Sequence, residues 1–168
     1  RALLGHGFGS VGKDEAQAAD DATTSQHFAD QYDGMLDGRI RTAVMPHSLT
    51  TVNESLLRES VAGARDAGLP VHLHANETED EVDPIVDERG VRPLAYAQDV
   101  GLLADGDFLA HCVHVDDEEI ELLAESGAAA VHCPASNMKL ASGIAPVQAM
   151  LDAGVTVGLR TDGAASTN

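Results

Sequence analysis

From about residue 39 to the end, short apolar runs alternate with amphipathic stretches. The runs are 39–45, 71–74, 108–112, 128–133 and 155–159. Runs this short, each followed by a helical pattern, predict β/α units around a parallel sheet. Helix punctuation supports the frame. Thr51 with Glu54 reads as a capping box ahead of Leu56, Leu57 and Val61, and Gly68 ends that helix just before Pro70. Asp116 with Glu119 reads as a second box ahead of Ile120 and Leu123, closed by Gly127. Pro146 opens a helix carrying Val147, Met150 and Leu151 that stops at Gly154. Further helices are expected over 25–32 and 93–100, a strand tail over 1–4, a glycine-rich loop over 5–12 and an acidic loop over 79–87.

Five such units, with about six strands, fit either an open doubly wound sheet or part of an eight-stranded barrel. No glycine-rich phosphate fingerprint follows any strand, which counts against a nucleotide-binding open sheet. A complete β/α barrel takes about 250 residues. The expected fold is therefore α/β: a partial TIM-like barrel formed by residues 1–168 as one domain, roughly strands three or four to eight. The chain opens at Arg1 and stops just after a motif, so it is expected to be a fragment.

Composition narrows the partners. The 168 residues carry 28 Asp and Glu against 10 Lys and Arg, a formal net charge of −18. Such a surface repels phosphate backbones and anionic lipid, which disfavours nucleic acid and membranes and leaves small molecules as the expected ligands, with a homo-oligomer left open. Only Lys13 and Lys139 are lysines, and the acids are scattered, a pattern expected of adaptation to molar salt. No apolar run approaches the roughly 20 residues needed to span a bilayer. The two cysteines, Cys112 and Cys133, make no disulfide framework, so a cytoplasmic setting is expected.

The candidate chemistry lies in where the histidines fall. His47 follows Val44-Met45-Pro46, His74 ends one run, His111 and His114 bracket Cys112-Val113, His132 ends the alanine-rich run, and Asp162 follows the last one. The C-terminal edge of a parallel sheet is where β/α folds bind ligands. Imidazoles and a carboxylate converging there suit zinc or iron(II). His72 shares a strand face with His74 but lies deeper, so packing is expected of it.

Four blocks carry a resemblance: His72-Leu73-His74-Ala75-Asn76-Glu77-Thr78, His111-Cys112-Val113-His114, the run from His132-Cys133-Pro134-Ala135-Ser136-Asn137 through Met138-Lys139-Leu140-Ala141-Ser142-Gly143 to Ile144-Ala145-Pro146-Val147, and Thr161-Asp162-Gly163-Ala164-Ala165-Ser166. In that order they resemble the amidohydrolase superfamily, and within it the branch of 5-methylthioadenosine/S-adenosylhomocysteine deaminases and related chlorohydrolases. The resemblance implies a distorted β/α barrel with one divalent metal, usually zinc. It implies His74 and Asp162 as metal ligands, with a first-strand His-x-His that this sequence does not contain. It implies Glu77 as the proton carrier to the substrate ring, His111 as the group handling the nucleophilic water, and Asp162 as its partner in catalysis. His47, Ser136 and Asn137 are implied to contact substrate.

The implied reaction is hydrolytic deamination of an adenine-type nucleoside. Dechlorination or deamination of another nitrogen heterocycle is the enzymatic alternative, and a non-catalytic metal- or ligand-binding remnant the alternative of another class. The isolated 168-residue chain is expected to bind metal weakly and to turn over nothing. One departure from the family pattern stands out: the usual Gly-Thr-Asp-Gly reads Arg160-Thr161-Asp162-Gly163, and strand alternation would put the Arg160 guanidinium on the face of Asp162. His114 and His132 divide evenly between orienting neighbours and touching substrate.

Overall fold

A computed structural model describes residues 1–167, and the chain divides into two compact units, each taken by itself. The first comprises Arg1–Leu73 with Val100–Leu102, the second His74–Asp99 with the residues from Leu103 onward.

In the first unit the expected strand tail is β1 (Ala2–Leu4), and the glycine-rich loop contains a two-residue strand, β2 (Gly7–Phe8). Next comes α1 (Glu15–Tyr32), an 18-residue helix where only 25–32 was expected. Its earlier turns lack large apolar residues and are held by small ones: Ala18, Ala22, Ser25 and Ala29 form the buried stripe. An Asp14–Gln17 capping box opens it. A left-handed turn, α2 (Met35–Gly38), leads to β3 (Ile40–Thr42) and β4 (Met45–Pro46). β1 pairs with β3 and β2 with β4, both in parallel. Helix α1 packs on α3 (Glu54–Asp66), which buries Leu56, Leu57, Val61 and Ala64. The cap of α3 is Asn53, whose Oδ1 accepts from Leu56 N–H at 2.9 Å, and not the expected Thr51 with Glu54. Thr51 Oγ1 is instead hydrogen-bonded to Ser48 and His47. Gly68, at φ +66°, ends the helix where expected.

The strand β5 (His72–Ala75) begins in the first unit beside Val44, through a parallel bridge from Val44 to Val71, and delivers His74 to the second. There the chain runs through α4 (Glu79–Arg89), α5 (Pro93–Asp99), β6 (Phe108–His111), α6 (Asp117–Ser126), β7 (Ala129–His132), α7 (Pro134–Leu140), α8 (Val147–Asp152), β8 (Val157–Leu159) and α9 (Ala164–Thr167). The acidic stretch expected as a loop is thus helix α4. Three acids in its first turn and Arg89 in its last favour that helix, and Val82 and Ile85 bury at i and i+3. Pro84 lies in its second turn and forfeits one backbone bond, to Asp80 O. Strands β5, β6, β7 and β8 form one parallel sheet in chain order, the α/β arrangement of part of a barrel. Leu109, Leu123 and Met150 are fully buried in this unit. The expected Asp116–Glu119 box caps α6. Among the described residues no helix is long and apolar enough to cross a membrane.

Candidate metal centre

Parallel strands put their C-terminal ends on one edge, and β5, β6 and the turn after β8 each deliver one candidate ligand there. His74, His111 and Asp162 offer ligand atoms that all lie within 4.8 Å of one another. The His74 and His111 rings are stacked, with centroids 5.4 Å apart. His111 and Asp162 both adopt left-handed backbone, φ +75° and +66°. A non-glycine residue is held there only when its surroundings fix it.

His111 is fully buried, and its Nδ1 lies 2.8 Å from Asn137 Oδ1. A carboxamide oxygen only accepts, so Nδ1 carries a proton and Nε2 is the nitrogen turned to the site. That Nε2 has no hydrogen-bond partner and faces Glu77 Oε2 at 3.5 Å. A proton passed between these two atoms suits such an arrangement, and the nitrogen and oxygen donors that His74, His111 and Asp162 bring beside it are those that zinc or iron(II) prefers.

The carboxylates are held from behind. Ser142 Oγ donates to Glu77 Oε1 at 3.1 Å, which leaves Oε2 as the atom turned to His111. Ser136 and Ser166 donate to Asp162 Oδ2 at 2.7 and 2.8 Å. Burial alone would push the Asp162 carboxyl up; the two serine hydroxyls, the Gly163 N–H and His111 outweigh it and bring it down to about 2. Asp162 is therefore ionised at any physiological pH.

Ser136 and Asn137, expected against substrate, are buried in α7 with their oxygen atoms bonded to Asp162 and His111. His114 donates from Nε2 to Ser142 O at 2.7 Å, which ties the turn after β6 to the segment that carries Ser142. His132 has a buried Nδ1 without a partner, and burial with the nearby His111 lowers its pKa, which favours neutral imidazole. His72 is buried. His47 belongs to the other unit, follows β4 and is exposed, with Nδ1 2.8 Å from Thr51 Oγ1. Cys112 is fully buried, and desolvation first, then Glu119 and Cys133, pushes its thiol up to about 12. It is no ligand in that state.

Arg160 does not follow the alternation expected of it. The strand ends at Leu159, Arg160 N–H still donates to His132 O at 3.0 Å, and the left-handed Asp162 breaks the two-residue repeat. The Arg160 side chain is exposed.

Residues 2–168 match the model of the amidohydrolase family. Over all 168 residues the chain is 67% identical to a 5-methylthioadenosine/S-adenosylhomocysteine deaminase of Natronomonas pharaonis, of which it covers 39%. Among solved structures it is similar to an adenosine deaminase from Xanthomonas campestris with bound zinc, at 37% identity and a TM-score of 0.86, covering all of this chain and 38% of that one. It is also similar to an atrazine chlorohydrolase from Arthrobacter aurescens complexed with zinc, at 30% identity and a TM-score of 0.80, covering 89% of this chain and 33% of that one. The chain thus spans between a third and two-fifths of the length of these proteins.

Proposed function

The chain belongs to the amidohydrolase family, and from that premise we propose that it supplies the catalytic half-site of a metal-dependent aminohydrolase that deaminates an adenine-type nucleoside such as methylthioadenosine or S-adenosylhomocysteine. The reaction breaks the bond from the ring carbon to its exocyclic amine, forms a bond from that carbon to water oxygen, and releases ammonia.

The observation that carries this reading is the meeting of His74, His111 and Asp162 within 4.8 Å, with Glu77 on the same spot. His74 and Asp162 would hold the metal, zinc being the ion bound in the similar adenosine deaminase and chlorohydrolase. Bound zinc supplies Lewis acidity, which makes water a stronger acid. His111 Nε2 takes up the proton that water gives. Glu77 Oε2 moves a proton to the ring nitrogen, so that the ring carbon becomes electrophilic, and its other oxygen is anchored by Ser142. Ser136 and Asn137, kept as substrate contacts on the resemblance, also position Asp162 and His111 through their oxygen atoms. His47 is kept as a substrate contact on the resemblance alone.

The deaminase relative supports the nucleoside substrate, and the likeness to atrazine chlorohydrolase supports a second reading, hydrolysis of another nitrogen heterocycle by the same residues. Purification of the complete protein that carries this chain, with metal analysis and ammonia release measured over a panel of adenine nucleosides and chlorinated triazines, separates them. Ammonia from the nucleosides, abolished by chelator and restored by zinc, is expected. Stoichiometric metal with neither ammonia nor chloride released would reduce the protein to a binding remnant.

The 28 acidic against 10 basic residues support a molar-salt working environment, and the two free cysteines a cytoplasmic one. Unchanged circular dichroism after dialysis into low salt would count against the salt adaptation.

A further inference from the structure

Glu119 is 1% exposed, yet it is a carboxylate, and its partners come from three separate stretches of chain. It accepts from Arg92 Nε at 3.0 Å and Nη2 at 2.9 Å, from Leu94 N–H at 2.9 Å and from Asn76 Nδ2 at 3.0 Å. Its bond to Asp116 N–H, the one a helix cap requires, is the longest of the set at 3.3 Å. Capping alone does not account for a buried acid so placed.

We propose that Glu119, with Arg92 and Asn76, is a positioning cluster that clamps the turn after β5 to the turn after β6 and so sets the spacing of Glu77 and His111; this rests on the deamination reading above. Asn76 directly precedes Glu77. Its backbone oxygen accepts from Val113 and His114 N–H at 3.0 and 2.9 Å, while Ala75 O accepts from Cys112 N–H at 3.1 Å. Asn76 Nδ2 and Arg92 Nη2 both donate to His114 O. The two turns are thus joined by backbone bonds, and the Glu119 cluster ties them together a second time through side chains.

The clamp has strain to hold. Asn76, His111 and Cys112 all lie in the left-handed region, at φ +53°, +75° and +48°. Backbone of that kind relaxes when its restraints are cut. Relaxation at Asn76 moves Glu77, and relaxation at His111 moves its Nε2, so both ends of the 3.5 Å separation depend on the same carboxylate. The bonds of Arg92 and Leu94 to Glu119 fix it against α5, and a buried carboxylate paired and bonded in this way is tolerated.

The test uses the complete zinc-loaded protein and two variants. Glu119→Gln keeps the shape but removes the charge that gathers these donors. Asn76→Gly removes only the carboxamide, in a residue at ease at positive φ. Both are expected to lower kcat about tenfold or more per zinc-loaded folded molecule, with KM changed less than about threefold. A lowered melting temperature with kcat unchanged in both variants would overturn the proposal, because the cluster would then serve stability alone. Nitrogen-15 spectra of the histidine rings give a readout free of turnover: the His111 signals should shift in both variants. If the unmodified protein deaminates nothing, the deamination reading fails on its own, and unshifted His111 signals would then still reject the clamp.

Discussion

Asn137 Oδ1 stands 2.8 Å from His111 Nδ1 and thereby fixes Nδ1 as a nitrogen that carries a proton. Both groups are buried, so water cannot substitute for the carboxamide. Asn137→Leu should free the tautomer and leave Nδ1 without a partner. We expect kcat to fall by about tenfold to a hundredfold, the range found when the group orienting a site histidine is lost. Asn137→Asp keeps an acceptor at the same place and should retain more activity than the leucine variant. Steady-state kinetics on the complete protein tests the order of the two.

Asp162 gives a pH-dependent contribution with a definite sign. Its folded-state pKa is about 2 against an ordinary 3.8, so the folded chain binds the proton less readily than the unfolded one. The stability it contributes is full above about pH 4 and lost as pH falls through about 2. Ser136→Ala removes the shorter of the two serine bonds and should raise the Asp162 pKa toward its ordinary value, so that the contribution is smaller and its loss is complete at a higher pH. Carbon-13 titration of the Asp162 carboxyl reads the shift directly. The same variant should weaken zinc binding by roughly tenfold in a chelator competition.

Much of this site was legible because strand ends can be read from punctuation. The short runs before His74, His111 and Asp162 forecast three strands that end where the sheet edge lies, and the family blocks added roles. The supporting residues were legible only as local signals. Glu119 reads in sequence as the N3 member of a capping box, which it is, but its bonds to Arg92 and Asn76 span 27 and 43 residues and leave no periodicity. Ser136 and Asn137 look like turn residues after a proline, yet Pro134 opens α7 and turns both inward. Helix α4 reads as a loop in the sequence because its charges mask a buried pair only three residues apart, Val82 and Ile85. Left-handed backbone at His111 and Asp162 has no sequence signature at all, since neither position is glycine.

Gly143 ties that geometry to a testable contact. It sits at φ +121°, and a Cβ there would come within 2.9 Å of Val113 Cγ1. The neighbouring Ser142 holds Glu77 through its hydroxyl and His114 through its carbonyl. Gly143→Ala should therefore displace the segment rather than merely fill space, and cost about 1–3 kcal/mol in a urea unfolding titration. Activity should fall beyond the loss of folded protein, because Glu77 loses its anchor. A variant that unfolds earlier but keeps its full kcat per folded molecule would detach Ser142 from the role given to it.

Arg160 offers the opposite kind of prediction, that an alarming substitution does little. A guanidinium on the metal-facing side of a strand would repel a dication by several kcal/mol at the low dielectric of a buried site. Here the strand has already ended at Leu159, the side chain of Arg160 is exposed, and the left-handed turn at Asp162 presents the carboxylate independently of the residue two before it. Exposed charges are screened by salt and contribute little at a distance. Arg160→Gly should accordingly leave the zinc dissociation constant within about twofold in moderate salt, as chelator competition would measure. A tenfold or larger gain in affinity would mean that the guanidinium does oppose the metal, and that Asp162 does not stand apart from the strand in the way its backbone indicates.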